Sequence, residues 1–252
     1  MSALTNVGFS VCKVMMSELM IGNLDAFAGI AIAGDCSSIY PIVEAKGIVQ
    51  SVIARPRICR TLLDFLARNT SFSICCGEVG FLLLVALGVV GTESSDTSTN
   101  RDNVKIELEE NSSGMFESLW LNFKIEDSKS ILLYPLRNMI FPGWIQGTHL
   151  GLRYLADGIE YSLMNTRQVA MTFHGPSTLP DNHATHYPRN PTSNSPVAGL
   201  TSTDGRHLAL LINPALSFHS WQWQYIPPEM RPLVTTPWAL LFQRMFIFSM
   251  CS

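Results

Sequence analysis

The chain has 252 residues, 47% of them hydrophobic and 15% charged, with a formal net charge of -3. Such a balance describes a globular fold rather than a disordered tail, and with no basic block it offers no general attraction to nucleic acid or anionic lipid. The six cysteines, Cys12, Cys36, Cys59, Cys75, Cys76 and Cys251, include no C-x-x-C pair, which argues against a zinc site and against a disulfide framework.

From the N-terminus, MSALTNVGFSVCKV lacks a charged stretch leading into an apolar core, so no secretory signal is evident. A reducing intracellular compartment is expected, with the sequons at Asn69 and Asn111 unused. Residues 9–14 (FSVCKV) and 27–33 (FAGIAIA) are short apolar runs that predict strands buried on both faces of a parallel sheet. Residues 41–53 and 56–67 carry apolar side chains at helical spacing, and Pro56 suits a first helical turn. Strands alternating with helices imply an α/β fold.

The stretch FSICCGEVG (72–80) then runs into an apolar segment. A short strand, a tight glycine turn and a buried helix make the arrangement that lifts a nucleophile to the edge of an α/β sheet. The longest apolar run, 79–90, has 12 residues where a membrane span needs about 20. A buried core helix is predicted there.

Composition changes after Gly91. Residues 92–103 carry no large apolar side chain and read as a flexible surface loop. Beyond it, 119–125 (LWLNFKI), 130–134 (SILLY) and 168–173 (QVAMTF) predict strands of a more antiparallel half, with turns at Pro142-Gly143 and Asp157-Gly158. Residues 175–196, rich in Pro, Asn, His, Ser and Thr, predict a long loop. Residues 206–212 (RHLALLI) predict another buried strand, and 237–246 (PWALLFQRMF) a closing helix.

Five collinear segments carry a resemblance: NSSGMFESLWLNFKI (111–125), HYPRNPT (186–192), AGLTSTDGRHLALL (198–211), WQWQYIPP (221–228) and TTPWALLFQ (235–243). Together they resemble the C-terminal glutaminase domain of formylglycinamidine ribonucleotide synthase, a class I glutamine amidotransferase. The SGMFESLW and YPRNPT runs resemble most closely its diverged branch in the large tegument proteins of gammaherpesviruses. That resemblance implies a flavodoxin-like, mostly parallel sheet flanked by helices with an added antiparallel portion. It also implies that residues 1–252 form one glutaminase-like domain, the C-terminal part of a longer polypeptide, lacking the family's first strand.

Chemistry in the family needs a cysteine on the elbow, a histidine base and a glutamate that orients it. The family elbow reads Phe-Ser-x-Gly-x-Cys-Asn-Gly. Counted without a gap from Phe72, the nucleophile column falls on Gly77; anchored on Gly80 as the closing glycine, it falls on Glu78. Only a gap inside the turn brings Cys75 or Cys76 into it. Where the family continues Pro-His-Pro-Glu, this chain has Ile212, Asn213, Pro214 and Ala215, so Asn213 replaces the base and Ala215 the orienting carboxylate. An amide cannot take a proton near neutral pH. Losing one member of such a unit typically costs on the order of 10^4 to 10^6 in rate.

Other columns drift as well. The family's oxyanion turn Gly-Gly-Phe-Ser is Ala33-Gly34-Asp35-Cys36, and an aspartate there opposes stabilisation of developing negative charge. Its His-Gly-Glu-Gly segment is Gln146-Gly147-Thr148-His149. What persists is of another kind: Phe116, Glu117, Trp221, Trp223, Pro227, Pro228, Pro237 and Trp238 are packing or turn residues.

By resemblance, the expected function is that of a catalytically degenerate domain in the virion tegument and in the host nucleus and cytoplasm. It would act on host proteins such as PML-body components or the host amidotransferase, beside the remaining domains of its own polypeptide, with no nucleic acid, membrane, cofactor or metal involved. The alternative is a working glutaminase that supplies ammonia to a synthase, using Cys75 or Cys76 and a substitute base. A third reading is a structural segment that packs against neighbouring domains.

Blander readings compete for several residues. Cys75 and Cys76 suit small buried hydrophobes. His174, His183 and His186, near Asp181, have no diagnostic ligand spacing. His207 is expected to serve packing or a hydrogen bond, and the tryptophans at 221 and 223 to lie mostly in the core.

Overall fold

The computed structural model describes residues 1–15, 18, 24–34, 41–92, 105–175 and 195–251. Its helices are α1 (Ser2–Asn6), α2 (Pro41–Ile53), α3 (Pro56–Ala67), α4 (Gly77–Ala86), α5 (Ile159–Asn165) and α6 (Ala239–Cys251). The strands are β1 (Gly29–Ala33), β2 (Phe72–Cys76), β3 (Ile106–Glu109), β4 (Glu117–Ile125), β5 (Ile140–Gly147), β6 (Gly151–Tyr154), β7 (Val169–His174), β8 (Val197–Thr201) and β9 (His207–Leu210).

A seven-stranded sheet runs in the order β1-β2-β9-β8-β7-β4-β5, and β3 pairs with β6 in a second, two-stranded sheet. At one side β1, β2 and β9 are parallel. From β9 onward every pairing through β8, β7, β4 and β5 is antiparallel. The fold is therefore α/β with a mixed sheet, as the alternation of strand and helix patterns implies.

Local sequence explains the elements that build the parallel side. In α3, Ile58, Cys59, Leu62, Phe65 and Leu66 are buried, the stripe expected of a helix lying on a sheet, and Pro56 takes the first position, where a missing N–H costs nothing. Helix α4 is different: from Gly77 through Val85 every residue is buried. It packs against β1, β2, β9 and α2, so it has no solvent face to make polar. Close approach is possible because position 80 is glycine, where a Cβ would stand 3.0 Å from the Ile32 carbonyl oxygen.

The antiparallel side is held by aromatic packing. Trp120 on β4 lies with its ring 5.1 Å from Trp144 on β5 and 5.8 Å from Trp223. Three indoles find backbone acceptors: Trp144 Nε1 donates to the Gln222 carbonyl, Trp223 Nε1 to the Ser217 carbonyl and Trp238 Nε1 to the Pro142 carbonyl. Trp238 is completely buried against Phe141.

Several expectations need correction. Residues 9–14 form no strand. Residues 130–134 form no strand: 131–133 are bends that lead into a 3-10 turn at Tyr134–Leu136, and the Ser130 hydroxyl accepts the Leu133 N–H. Pro142-Gly143 is no turn but the middle of β5, paired with Asn122 and Leu121. Proline is tolerated there because β5 is the sheet's edge strand. By contrast Gly158, with φ +82, does form the turn that opens α5. Residues 93–104 and 176–194, which contain nearly all of both predicted loops, lie outside the described residues.

Candidate functional site

Parallel strands deliver their following residues to one edge of the sheet, and three adjacent strands do so here. Ala33 pairs with Cys76, and Cys76 pairs with Leu210. Gly34 therefore emerges beside the end of β2, donating its N–H to the Cys76 carbonyl at 3.4 Å. Gly77 follows from β2, and Leu211, Ile212 and Asn213 follow from β9. The carboxyl edge of a parallel sheet is where α/β folds place ligands.

The turn from β2 into α4 is made at Gly77, whose φ is +74. Cys76 before it is still extended, with φ -124 and ψ 146. Both cysteines are thus the last residues of a strand, and the turn itself bears no thiol. Cys75 is fully buried. Burial pushes its thiol up to about 12 even though a hydrogen bond from the Ile32 backbone favours the thiolate. At neutral pH only about one molecule in 10^4 or fewer would carry the nucleophilic form. Cys76 is buried in the same apolar core.

Glu78, the next residue, is 3% exposed. Its Oε1 accepts the backbone N–H of Thr148 at 3.2 Å and of His149 at 3.0 Å, with the Thr148 hydroxyl at 3.4 Å. That hydroxyl also lies 2.9 Å from His149 Nδ1. Burial keeps the His149 imidazole below its ordinary pKa, Lys46 adding to the effect and Glu110 opposing it. The turn that receives Glu78 is braced from behind by Asn111. The amide of Asn111 donates to the Met115 and Gly147 carbonyls, both at 2.9 Å, and accepts from Leu150 N–H at 3.1 Å.

At the end of β9, Asn213 caps the 3-10 turn Pro214–Ser217, its side-chain oxygen accepting the Ala215 N–H at 3.2 Å. Ala215 offers nothing but a methyl group. Gly34 lies beside the first turn of α4, where an added Cβ would stand 3.5 Å from Val79 Cβ. Asp35 and Cys36 lie outside the described residues, as do Asp181, His183 and His186.

The same two strands carry a second polar group at their other ends. Ser73 pairs with His207 in register. His207 Nε2 lies 2.9 Å from the Leu66 carbonyl, which can only accept, so Nε2 carries the proton and Nδ1 accepts from the Ser73 hydroxyl at 3.0 Å. Burial lowers the His207 pKa to about 4, Asp204 pulling the other way. With Ser73 three residue steps before Cys76 along β2, this pair stands about 10 Å from the carboxyl edge.

Two of the residues expected to pack are exposed instead. Phe116 is 55% exposed, and Trp221 is 75% exposed, stacked on the His219 ring at 5.9 Å. Trp223, two residues on, is buried. Apolar composition alone does not separate them. Asn111 was missed as a structural centre of the site. The signal was its place before Ser-Ser-Gly, since asparagine opens turns, and here Gly114 N–H donates to the Asn111 carbonyl at 2.8 Å.

Comparison with known proteins places this geometry. Residues 1–249 match the family described as CobB/CobQ-like glutamine amidotransferase domain. Protein ORF75 of Human herpesvirus 8 type P (isolate GK18) is 46% identical over 260 residues, covering 99% of this chain and 20% of that protein. Probable membrane antigen 75 of Saimiriine herpesvirus 2 (strain 11) is 42% identical over 98% of this chain and 19% of its own length. The Major tegument protein of Epstein-Barr virus (strain AG876) is 37% identical over 99% of this chain and 20% of its own length. The chain thus spans about a fifth of the curated relatives it matches. Among solved structures, a chain of PurLQS from Thermotoga maritima superposes with TM-score 0.63 at 15% identity, over 99% of this chain and 89% of that one.

Proposed function

This chain belongs to the family of CobB/CobQ-like glutamine amidotransferase domains, and from that premise we propose that it is a member that has kept the scaffold and lost the reaction. The observation that carries the reading is the pairing at the carboxyl edge. The residue in the elbow turn is Gly77, without a side chain, and the residue that follows β9 where the family has its base is Asn213, which spends its side chain on the Ala215 N–H. Amide hydrolysis needs a nucleophile, a base and an orienting carboxylate that act as a unit. Gly77, Asn213 and Ala215 supply none of the three.

As a pseudoenzyme the domain would work through its surface, as part of a viral tegument polypeptide carried in the virion and released into the host nucleus and cytoplasm. The names of its herpesvirus relatives support the tegument assignment. Countering host intrinsic defence, with PML-body components or the host amidotransferase as partners, is the role that the resemblance suggests.

The test is direct. The purified chain is expected to release no ammonia from glutamine above the buffer rate, and an electrophilic glutamine analogue is expected to label neither Cys75 nor Cys76. Turnover that disappears on Cys75→Ala would overturn the reading in favour of a working glutaminase.

A further inference from the structure

Glu78 is the first side chain after the elbow turn, and it does not point to solvent. Its carboxylate oxygen sits in a cradle made by the 147–149 turn: two backbone N–H groups converge on it, with the Thr148 hydroxyl at the limit of hydrogen-bond distance. The hydroxyl has one proton, so it can donate to Glu78 when His149 Nδ1 donates to the hydroxyl oxygen, which completes a chain from imidazole to carboxylate. The cradle is shaped around this oxygen. At Gly147 an added Cβ would stand 3.0 Å from Glu78 Oε1 and 2.9 Å from Leu150 Cδ2, and Asn111 fixes the turn from its far side with bonds at Gly147 and Leu150. Donors converging on one oxygen in a buried place form an anion-binding concavity.

We propose that the cradle is a carboxylate-binding site at the sheet's carboxyl edge that the protein fills with its own Glu78, so that a free amino acid or other small carboxylate is excluded and the elbow is tied to the β5–β6 turn. The proposal concerns the same edge as the pseudoenzyme reading but stands on different residues, so each can fail alone. A tie between α4 and the antiparallel side explains why Glu78 is tolerated in a helix otherwise buried among apolar side chains. A buried carboxylate would be costly without such donors.

The experiment removes the plug and supplies it again from solution. Glu78→Ala deletes the atoms that acetate contains, leaving the N–H groups of Thr148 and His149 without this acceptor. Thermal unfolding of the full chain is expected to fall by about 5 °C in Glu78→Ala. Sodium acetate at about 50 mM should restore at least half of that loss, while sodium chloride at equal ionic strength and acetate on the wild type should change nothing. Acetate that acts alike on both proteins, or on neither, overturns the proposal. Should Glu78→Ala fail to fold, two other variants decide. Glu78→Gln keeps an oxygen for the same N–H donors and is expected to melt within about 3 °C of the wild type, whereas Gly147→Ala presses a methyl group on that oxygen and should lose more. The reverse order sinks the inference. Ammonia release from glutamine by the wild type would count against the pseudoenzyme reading and leave the acetate result to judge the cradle.

Discussion

At their amino ends, β2 and β9 set Ser73 opposite His207, with the imidazole held between a hydroxyl and the Leu66 carbonyl. At their carboxyl ends the same strands lead to Gly77, Glu78 and Asn213, the positions that the proposed reading aligns with the family's nucleophile and base. One strand pair thus carries a histidine bonded on both ring nitrogens at its amino end, and at its carboxyl end a glycine turn and a capping amide with no imidazole. The difference shows that a histidine near a serine identifies nothing by itself. What decides is whether the imidazole can reach solvent and change protonation, and His207, buried and held near pKa 4, can do neither at neutral pH.

The largest expected effect follows from removing the amino-end pair. His207→Ala empties a buried site and takes away the acceptor of the buried Ser73 hydroxyl, losses that together come to about 3 kcal/mol. For a chain of this length the melting temperature should fall by roughly 6–12 °C. Combined with Glu78→Ala, the same variant should keep the acetate response of the cradle at the other end. A change of less than about 1 kcal/mol in urea unfolding would mean that His207 does not hold these strands together.

A pH series sharpens the same contrast. The imidazole is depressed in the folded state, to about 4, from an unfolded value near 6.5. Its contribution to stability is therefore complete above pH 6.5 and is lost as pH falls through 4, where the unfolded chain binds the extra proton first. The integrated loss is on the order of 3 kcal/mol. Asp204 and Glu107, whose carboxyls are held below their ordinary values, lose their contributions lower still, below about pH 4. Urea midpoints measured from pH 7.5 to 4 should therefore decline for the wild type and stay flatter for His207→Ala. Parallel curves would remove His207 as the cause.

How far these features could be read beforehand depends on whether neighbours along the chain decide them. Helices α2 and α3 were legible because proline starts and apolar spacing are local signals, and β4, β7 and β9 because alternation or unbroken apolar runs are. Residues 130–134 look like a strand by composition, yet Ser130 closes a turn on itself. Pro142-Gly143 looks like a turn, yet an edge strand accepts proline. Trp221 and Trp223 differ by one residue between them and lie on opposite sides of the boundary with solvent. At the site, Asn213 and Ala215 stood out because DGRHLALL fixes their register. The partnership of Glu78 with Thr148 and His149 did not, since about 70 residues separate them and no spacing rule links them.

The smallest effect is the most discriminating at the carboxyl edge. Asn213→His returns an imidazole to the position that follows β9, and the naive expectation is a partial return of glutamine hydrolysis. The geometry argues for none. The elbow turn at Gly77 presents no nucleophile, Cys75 stays protonated within the sheet, and Ala215 cannot orient the new ring. The measurable change should be structural: the cap on the Ala215 N–H is lost, at a cost of about 1 kcal/mol, and the melting temperature drops by roughly 2–4 °C. Ammonia release should remain at the buffer rate in this variant. If it rose, a thiol within reach of position 213 would have to exist, and the proposed loss of the reaction could not rest on the contrast between a locked histidine at one end and a missing one at the other.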